Sequence, residues 1–237
     1  MVGKTLGLAN LFAATGLAAA LIGSPSANAQ EPAKAYVVSY IETMPEKENQ
    51  AASLIEAYAA SGRKAPGDLN FQALQRIDRP NQFAMISSWK DQGAAESFAG
   101  SDTTKQFHDK LQSLLIAPQD DRPSTGLDIG PSTPRDKGSD KNFVFAVTHV
   151  DLIPPKKDEG IVALKDNAGP SRADPGNRRY DLLQQNSRGN HFTLVEEWTS
   201  RKAIESHEVA AHTRKLRDLL FPMGGALYDQ RLYHPLD

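Results

Sequence analysis

Two short runs rich in β-branched and aromatic residues, "YVVSYIE" (36–42) and "FVFAVTHVD" (143–151), read as β-strands. Each is followed by a proline, Pro45 or Pro154, at a place where a first helical turn tolerates a residue without an N–H. Helical stretches come next, "EKENQAASLIEAYAAS" and "PKKDEGIVALKDNAG", the second weakened by Gly160. Then "APGDLNFQALQRID" and "ADPGNRRYDLLQQNS" place a Pro-Gly turn before a strand. The turns "RPN" and "RGN" lead into "QFAMISSW" and "HFTLVEEW", so each pair of runs reads as a hairpin. One long helix follows in each half, and the last strands are assigned to "DDRPSTGLDIG" and "ALYDQRLYHPL". The order is β-α-β-β-α-β twice, a ferredoxin-like α+β unit.

The two halves are copies. A shift of 109 residues lays Pro45 on Pro154, Arg63 on Arg172, Pro66-Gly67 on Pro175-Gly176, Leu74-Gln75 on Leu183-Gln184 and Trp89 on Trp198. The segment 128–142, "DIGPSTPRDKGSDKN", has the Pro, Gly and Ser content of a linker. The boundaries expected are therefore 30–127 for the first domain and 143–237 for the second. The strand at 143–151 is apolar on both faces, with Phe143, Phe145 and Val147 on one and Val144, Ala146 and Val150 on the other. Two-sided burial predicts helices over one face and a second sheet against the other. The other copy supplies that sheet, so the chain is expected to fold as its own pseudo-dimer, packed sheet to sheet.

Lys4, an apolar stretch from Leu6 to Ile22 and "SPSANA" have the layout of a secretory leader cleaved after Ala29, which implies a periplasmic or secreted protein. The rest of the chain has no run approaching the ~20 apolar residues of a spanning helix. There are no cysteines, which removes disulfides and thiolate chemistry. The formal charge is −2, with no basic stripe of the kind nucleic acid requires.

Candidate chemistry centres on the histidines of the second half. Along an unbroken helix His207 and His212 lie about 140° apart, which forbids one shared metal ion. His212 then reads as a solvated partner of Glu208. His207 falls on the inward stripe with Ile204 and Ala211 and matches Phe98 of the first copy, so it is either a hydrogen-bonded core residue or a functional one. His149 shares a strand face with Phe145 and Val147 and matches Tyr40. If that face looks toward the helices, His149 and His207 share a cavity; with the opposite parity His149 is buried between the sheets. Trp89 and Trp198 read as core or as walls for a flat ligand. Glu196 and Glu197 lie on opposite faces of their strand, so they do not form a carboxylate pair.

The stretch "EEWTSRKAIESHEVAAHTRKLRDLL" (196–220) resembles the antibiotic-biosynthesis-monooxygenase-like family, through Glu-x-Trp, a histidine some residues on and a helix with a second polar position. The first copy carries Ser87-Ser88 in place of the acids and Phe98 in place of the histidine. The resemblance implies a cavity between sheet and helices, for an aromatic or quinol-like molecule oxidised by O₂ with no metal or other cofactor. It implies His207 as proton acceptor and His149 as a second catalytic contact, with Trp198, Glu197, Tyr180, Trp89 and Tyr40 as substrate contacts. The site is expected in the second half, with the first half as its packing partner. A haem-degrading branch shares the fold. His108 lies nineteen residues after Trp89, where that branch places its axial ligand, although Phe98 and Tyr40 depart from its pattern. A non-catalytic module that binds small molecules or serves in stress is the other alternative. The sequence leaves open whether pseudo-dimers pair further.

Overall fold

The computed structural model describes residues 1–3, 35–130 and 142–236. Residues 4–29 of the leader, and all but the ends of the linker, fall outside these. The first copy runs β1 (Ala35–Glu42), α1 (Glu48–Gly62), β2 (Asp68–Arg76), β3 (Gln82–Trp89), α2 (Gln92–Ala99), α3 (Asp102–Gln112) and β4 (Asp120–Gly126). The second repeats it as β5 (Val144–Asp151), α4 (Lys157–Ala173), β6 (Asn177–Gln185), β7 (His191–Trp198), α5 (Arg201–Glu208), α6 (Ala211–Leu220) and β8 (Asp229–Pro235). A 3₁₀ turn opens at each expected proline, Pro45–Lys47 and Pro154–Lys156, just before α1 and α4.

Within each copy the strands lie in the ferredoxin-like order, β4-β1-β3-β2 and β8-β5-β7-β6. The last strand of each copy also pairs with the other copy. Leu74, Gln75 and Arg76 of β2 face Pro235, His234 and Tyr233 of β8, and Ser124, Thr125 and Gly126 of β4 face Gln185, Gln184 and Leu183 of β6. These two seams close all eight strands into one barrel. The expected sheet-to-sheet pseudo-dimer is thus formed inside one chain, and closure removes the free sheet edges.

Three apolar layers follow from the alternation of side chains along strands. Val38, Leu74, Ile86, Phe145, Val147, Leu183, Val195 and Tyr233 fill the barrel interior. Ile55, Phe71, Phe83, Trp89, Phe107 and Leu111 pack between the first sheet face and its helices. Leu152, Leu164, Tyr180, Phe192, Leu194 and Leu216 do the same in the second copy. Each buried Leu, Ile or Phe contributes about 1.5–3 kcal/mol relative to exposure, so the two-sided strands are the main source of cohesion.

The single long helix expected after each tryptophan is in fact two. In the first copy Gly100 ends α2, and Ser101 caps α3 by accepting from the Thr104 N–H at 3.2 Å. In the second the break falls at Val209–Ala210, with the Ala210 N–H bonding back to the His207 carbonyl at 3.0 Å. The Arg217 guanidinium spans the break by donating to the Glu208 carbonyl at 3.3 Å.

Candidate active site

The break in the second copy changes the geometry of the histidines. His207 sits near the end of α5 and His212 in the first turn of α6, and their ring centroids come to 5.4 Å. The expectation that they lie on different faces of one helix is corrected. So is the solvated role given to His212, whose side chain is only 22% exposed.

Both histidines converge on Asp174, which lies in the turn between α4 and β6. His207 Nδ1 is 2.7 Å from Asp174 Oδ2, and His212 Nε2 is 3.1 Å from the same oxygen. Gly176 lets this turn form. It holds φ +88°, a region that favours glycine, and a Cβ there would meet Thr199 Oγ1 at 2.6 Å and Ala203 Cβ at 2.7 Å. The His207 ring packs on Trp198 at 4.6 Å between centroids, and Thr213 Oγ1 lies 3.3 Å from its Nδ1.

Glu196 completes the group. The alternation of β7 turns Glu196 and Trp198 toward the helices and Glu197 into the barrel. The Trp198 indole N–H donates to Glu196 Oε2 at 3.1 Å, and that oxygen is 3.5 Å from His207 Nε2. Burial pushes the Glu196 carboxyl up to about 7, against the indole N–H, which favours the charged form. Burial also draws His207 below the usual histidine range, with the Asp174 carboxylate opposing it.

His207 forms the inner end of a cleft of about 430 Å³, lined also by Asp174, Pro175, Gly176, Thr199, Ser200, Lys202, Ala203 and Ser206. The cleft opens where the Asp174–Gly176 turn meets the start of α5, at the rim of the helix layer. It is not the enclosed space between sheet and helices that the resemblance implies, because large side chains fill that space.

Several expected contacts are placed elsewhere. Trp198 is fully buried behind His207, so it supports the imidazole and does not line the cleft. Tyr180 is buried beneath α4, where Asn167 Nδ2 donates to its hydroxyl at 3.2 Å. Burial, and then the nearby Glu196 charge, raises that phenol far above its usual range. Glu197 lies on the barrel side, 3.0 Å from Arg178 Nε. His149 takes the barrel parity as well, so the shared cavity with His207 does not form. Its ring lies 3.2 Å from Arg122 Nη1 and 3.2 Å from His191 Nδ1. Burial, with Arg122 and His191 adding to it, brings His149 down to about 4. Tyr40 joins that barrel mouth, with Arg122 4.7 Å from its ring centroid.

In the first copy aromatic side chains take the equivalent place. Trp89 is enclosed with Phe71 and Phe98, which also pack with Tyr58, itself stacked on Phe107 at 4.0 Å. These rings occupy the room a macrocycle beside Trp89 would need. His108 is exposed on α3 and borders a separate cleft with Leu111, Leu115, Pro118 and Asp121.

Asp174 escaped the reading of the sequence, Glu196 entered it only through the Glu-x-Trp pattern while Glu197 was taken as the contact, and His212 was misplaced. The duplication carries a usable signal for all three. At the shift of 109 the first copy has Ala65, Ser87 and Thr103 at these places, and Phe98 for His207, inside otherwise matching frames.

The fold and site define an α+β barrel of the dimeric type in which two ferredoxin-like repeats share one chain and, among the described residues, the acid–histidine cluster lies in the second. The antibiotic biosynthesis monooxygenase family model matches residues 35–110 and 143–219, and the chain belongs to that family. It is similar to YcnE of Bacillus subtilis (strain 168), named "Putative monooxygenase", with 30% identity over 70 residues, 30% of this chain and 74% of that protein. A solved structure from Fusobacterium nucleatum with the same description superposes with a TM-score of 0.75 at 15% identity, covering 87% of this chain and 94% of that one. The structure of an anthrone oxidase-like protein superposes with a TM-score of 0.67 at 15% identity, covering 88% and 93%. At these identities the structures bear on the fold alone.

Proposed function

We propose that the protein is an exported monooxygenase that oxidises an aromatic or quinol-like small molecule with O₂, using the cleft at Asp174 and His207. The observation that carries this reading is the 2.7 Å contact between His207 Nδ1 and Asp174 Oδ2 at the inner end of an open cleft, in a chain of the monooxygenase family.

The chemistry needs a proton acceptor more than a cofactor. Removing a hydroxyl proton turns a hydroquinone into an anion that can itself give electrons to O₂. One oxygen atom enters the product, the other leaves as water, and the substrate supplies all the electrons. His207 takes the proton. The resulting imidazolium is held between the carboxylate of Asp174 at 2.7 Å and Glu196 at 3.5 Å. Trp198 fixes the ring plane from behind. Lys202, exposed at the cleft wall, offers a positive charge to the substrate anion.

The test is oxygen uptake by the metal-stripped protein given a naphthohydroquinone, against the rate without protein. A protein-dependent rate that disappears in His207→Ala supports the reading. A rate at background would reassign the cleft to a non-catalytic binding module. Export is tested separately, by fractionating cells and sequencing the N-terminus of the mature chain, with Gln30 expected first.

A further inference from the structure

The geometry points to a second occupant of this site, a divalent first-row transition-metal ion held by His207, His212 and Asp174. One ligand atom from each of the three lies within 4.8 Å of the others. Zinc bonds to imidazole nitrogen and carboxylate oxygen are about 2.0–2.2 Å, so neighbouring ligand atoms around a tetrahedral ion sit roughly 3.3–3.6 Å apart. The separations from Asp174 Oδ2, 2.7 Å to His207 and 3.1 Å to His212, reach that range with side-chain shifts of less than about 1 Å.

Three further observations favour an ion over a simple hydrogen-bonded cluster. His212 Nε2 is buried and, despite the carboxylate oxygen at 3.1 Å, is not aligned for a hydrogen bond to any described residue. Among the described residues it therefore has no hydrogen bond for a metal ion to displace. Next, the other nitrogen of His207 faces Glu196 Oε2 at 3.5 Å. A carboxylate behind the far nitrogen is the arrangement that orients a metal-bound imidazole. Finally, Asp174 and His207 border the cleft, which leaves an open side for water or a ligand. Two imidazoles and one carboxylate suit zinc, iron(II) or copper(II) better than magnesium or calcium.

Binding requires His207 to carry its proton on Nε2, toward Glu196, so that Nδ1 can meet the metal. Granting the oxygenase reading, the ion and the substrate proton then compete for one imidazole, and a loaded site is a silenced one.

The experiment is a titration of the full chain with Co²⁺, followed by its visible absorption and then by displacement with Zn²⁺. One equivalent is expected to bind. His212→Thr and Asp174→Ala are expected to abolish it. The fold already accepts both substitutions, because Thr103 and Ala65 stand at the equivalent places in the first copy. Glu196→Gln should weaken binding about 10- to 100-fold, and His191→Ala should leave it unchanged. Absence of a saturable absorption, or a titration unaltered in both His212→Thr and Asp174→Ala, would overturn the assignment. No quinol is present in this titration, so its failure says nothing against the oxygenase reading. A failure of oxygen uptake likewise leaves the metal site standing.

Discussion

Phe98 occupies in the first copy the place that His207 holds in the second, and each ring leans on its tryptophan at the same angle. Phe98 lies 5.2 Å from Trp89 and His207 lies 4.6 Å from Trp198, both at 33° between planes. One frame thus carries an aromatic plug in one half and an imidazole in the other. The duplicated fold has kept the scaffold of both sites and the polar groups of one.

That asymmetry sets the first expectation. His207→Ala should lower oxygen uptake by about 10²–10⁴-fold, the usual contribution of a positioned acid–base group. Phe98→Ala should leave the rate intact while costing about 1–3 kcal/mol of stability, less than a fully buried ring because Phe98 is only partly buried. Initial rates and urea midpoints on both variants decide it. Equal loss of rate from the two would sink the assignment of the site to the second half.

Asp174→Asn keeps the shape of the turn and removes the charge that holds His207 in place. The rate should fall by roughly two powers of ten or less, with much smaller change in substrate affinity, because an orienting group acts mainly on the proton transfer. Separate kcat and KM values test this. A pure rise in KM would instead make Asp174 a substrate contact.

Gly176 and Gly67 are the paired turn glycines, at φ +88° and +83°. Alanine at either should cost about 1–3 kcal/mol from backbone strain and crowding. Only Gly176→Ala should also impair the site, since it crowds Thr199 and Ala203 on the cleft wall. Thermal unfolding combined with rates separates the shared effect from the local one.

His149 predicts how stability responds to acid. Its folded value is drawn down to about 4, against about 6.5 for an unfolded histidine. The unfolded chain therefore binds a proton more readily, and the native state loses stability as pH falls from about 6.5 toward 4. The charges facing it are Arg122, His191, Asp151 and Asp229, with the two acids opposing the shift. His149→Gln should flatten this part of the profile by about 1–3 kcal/mol. Urea midpoints at pH 7.5, 6 and 4.5 measure it, and parallel profiles for the two proteins would refute it.

Much of the architecture is legible in the chain itself. Strand runs with apolar residues on both faces demand cover on both sides, and a second copy at a constant offset supplies it. The Pro-Gly turns and paired tryptophans mark the same frame twice. Periodicity also placed His207 inward. These features are local, or repeat at one offset, so a single sequence displays them.

The site was decided by features with no such local mark. A strand's alternation says that Glu196 and Glu197 face opposite ways, but only the closed barrel shows that Glu197 and His149 point inside it and Glu196 outside. The break at Val209–Ala210 has no glycine or capping side chain to announce it, although Gly100-Ser101 does so in the first copy. That break swings His212 toward His207, and a turn 33 residues earlier brings Asp174 between them. The repeat is written in one constant offset, and the strands and the inward histidine in periods of two and 3.6 residues. The company that histidine keeps depends on the folded chain, because separation along the sequence does not fix separation in space.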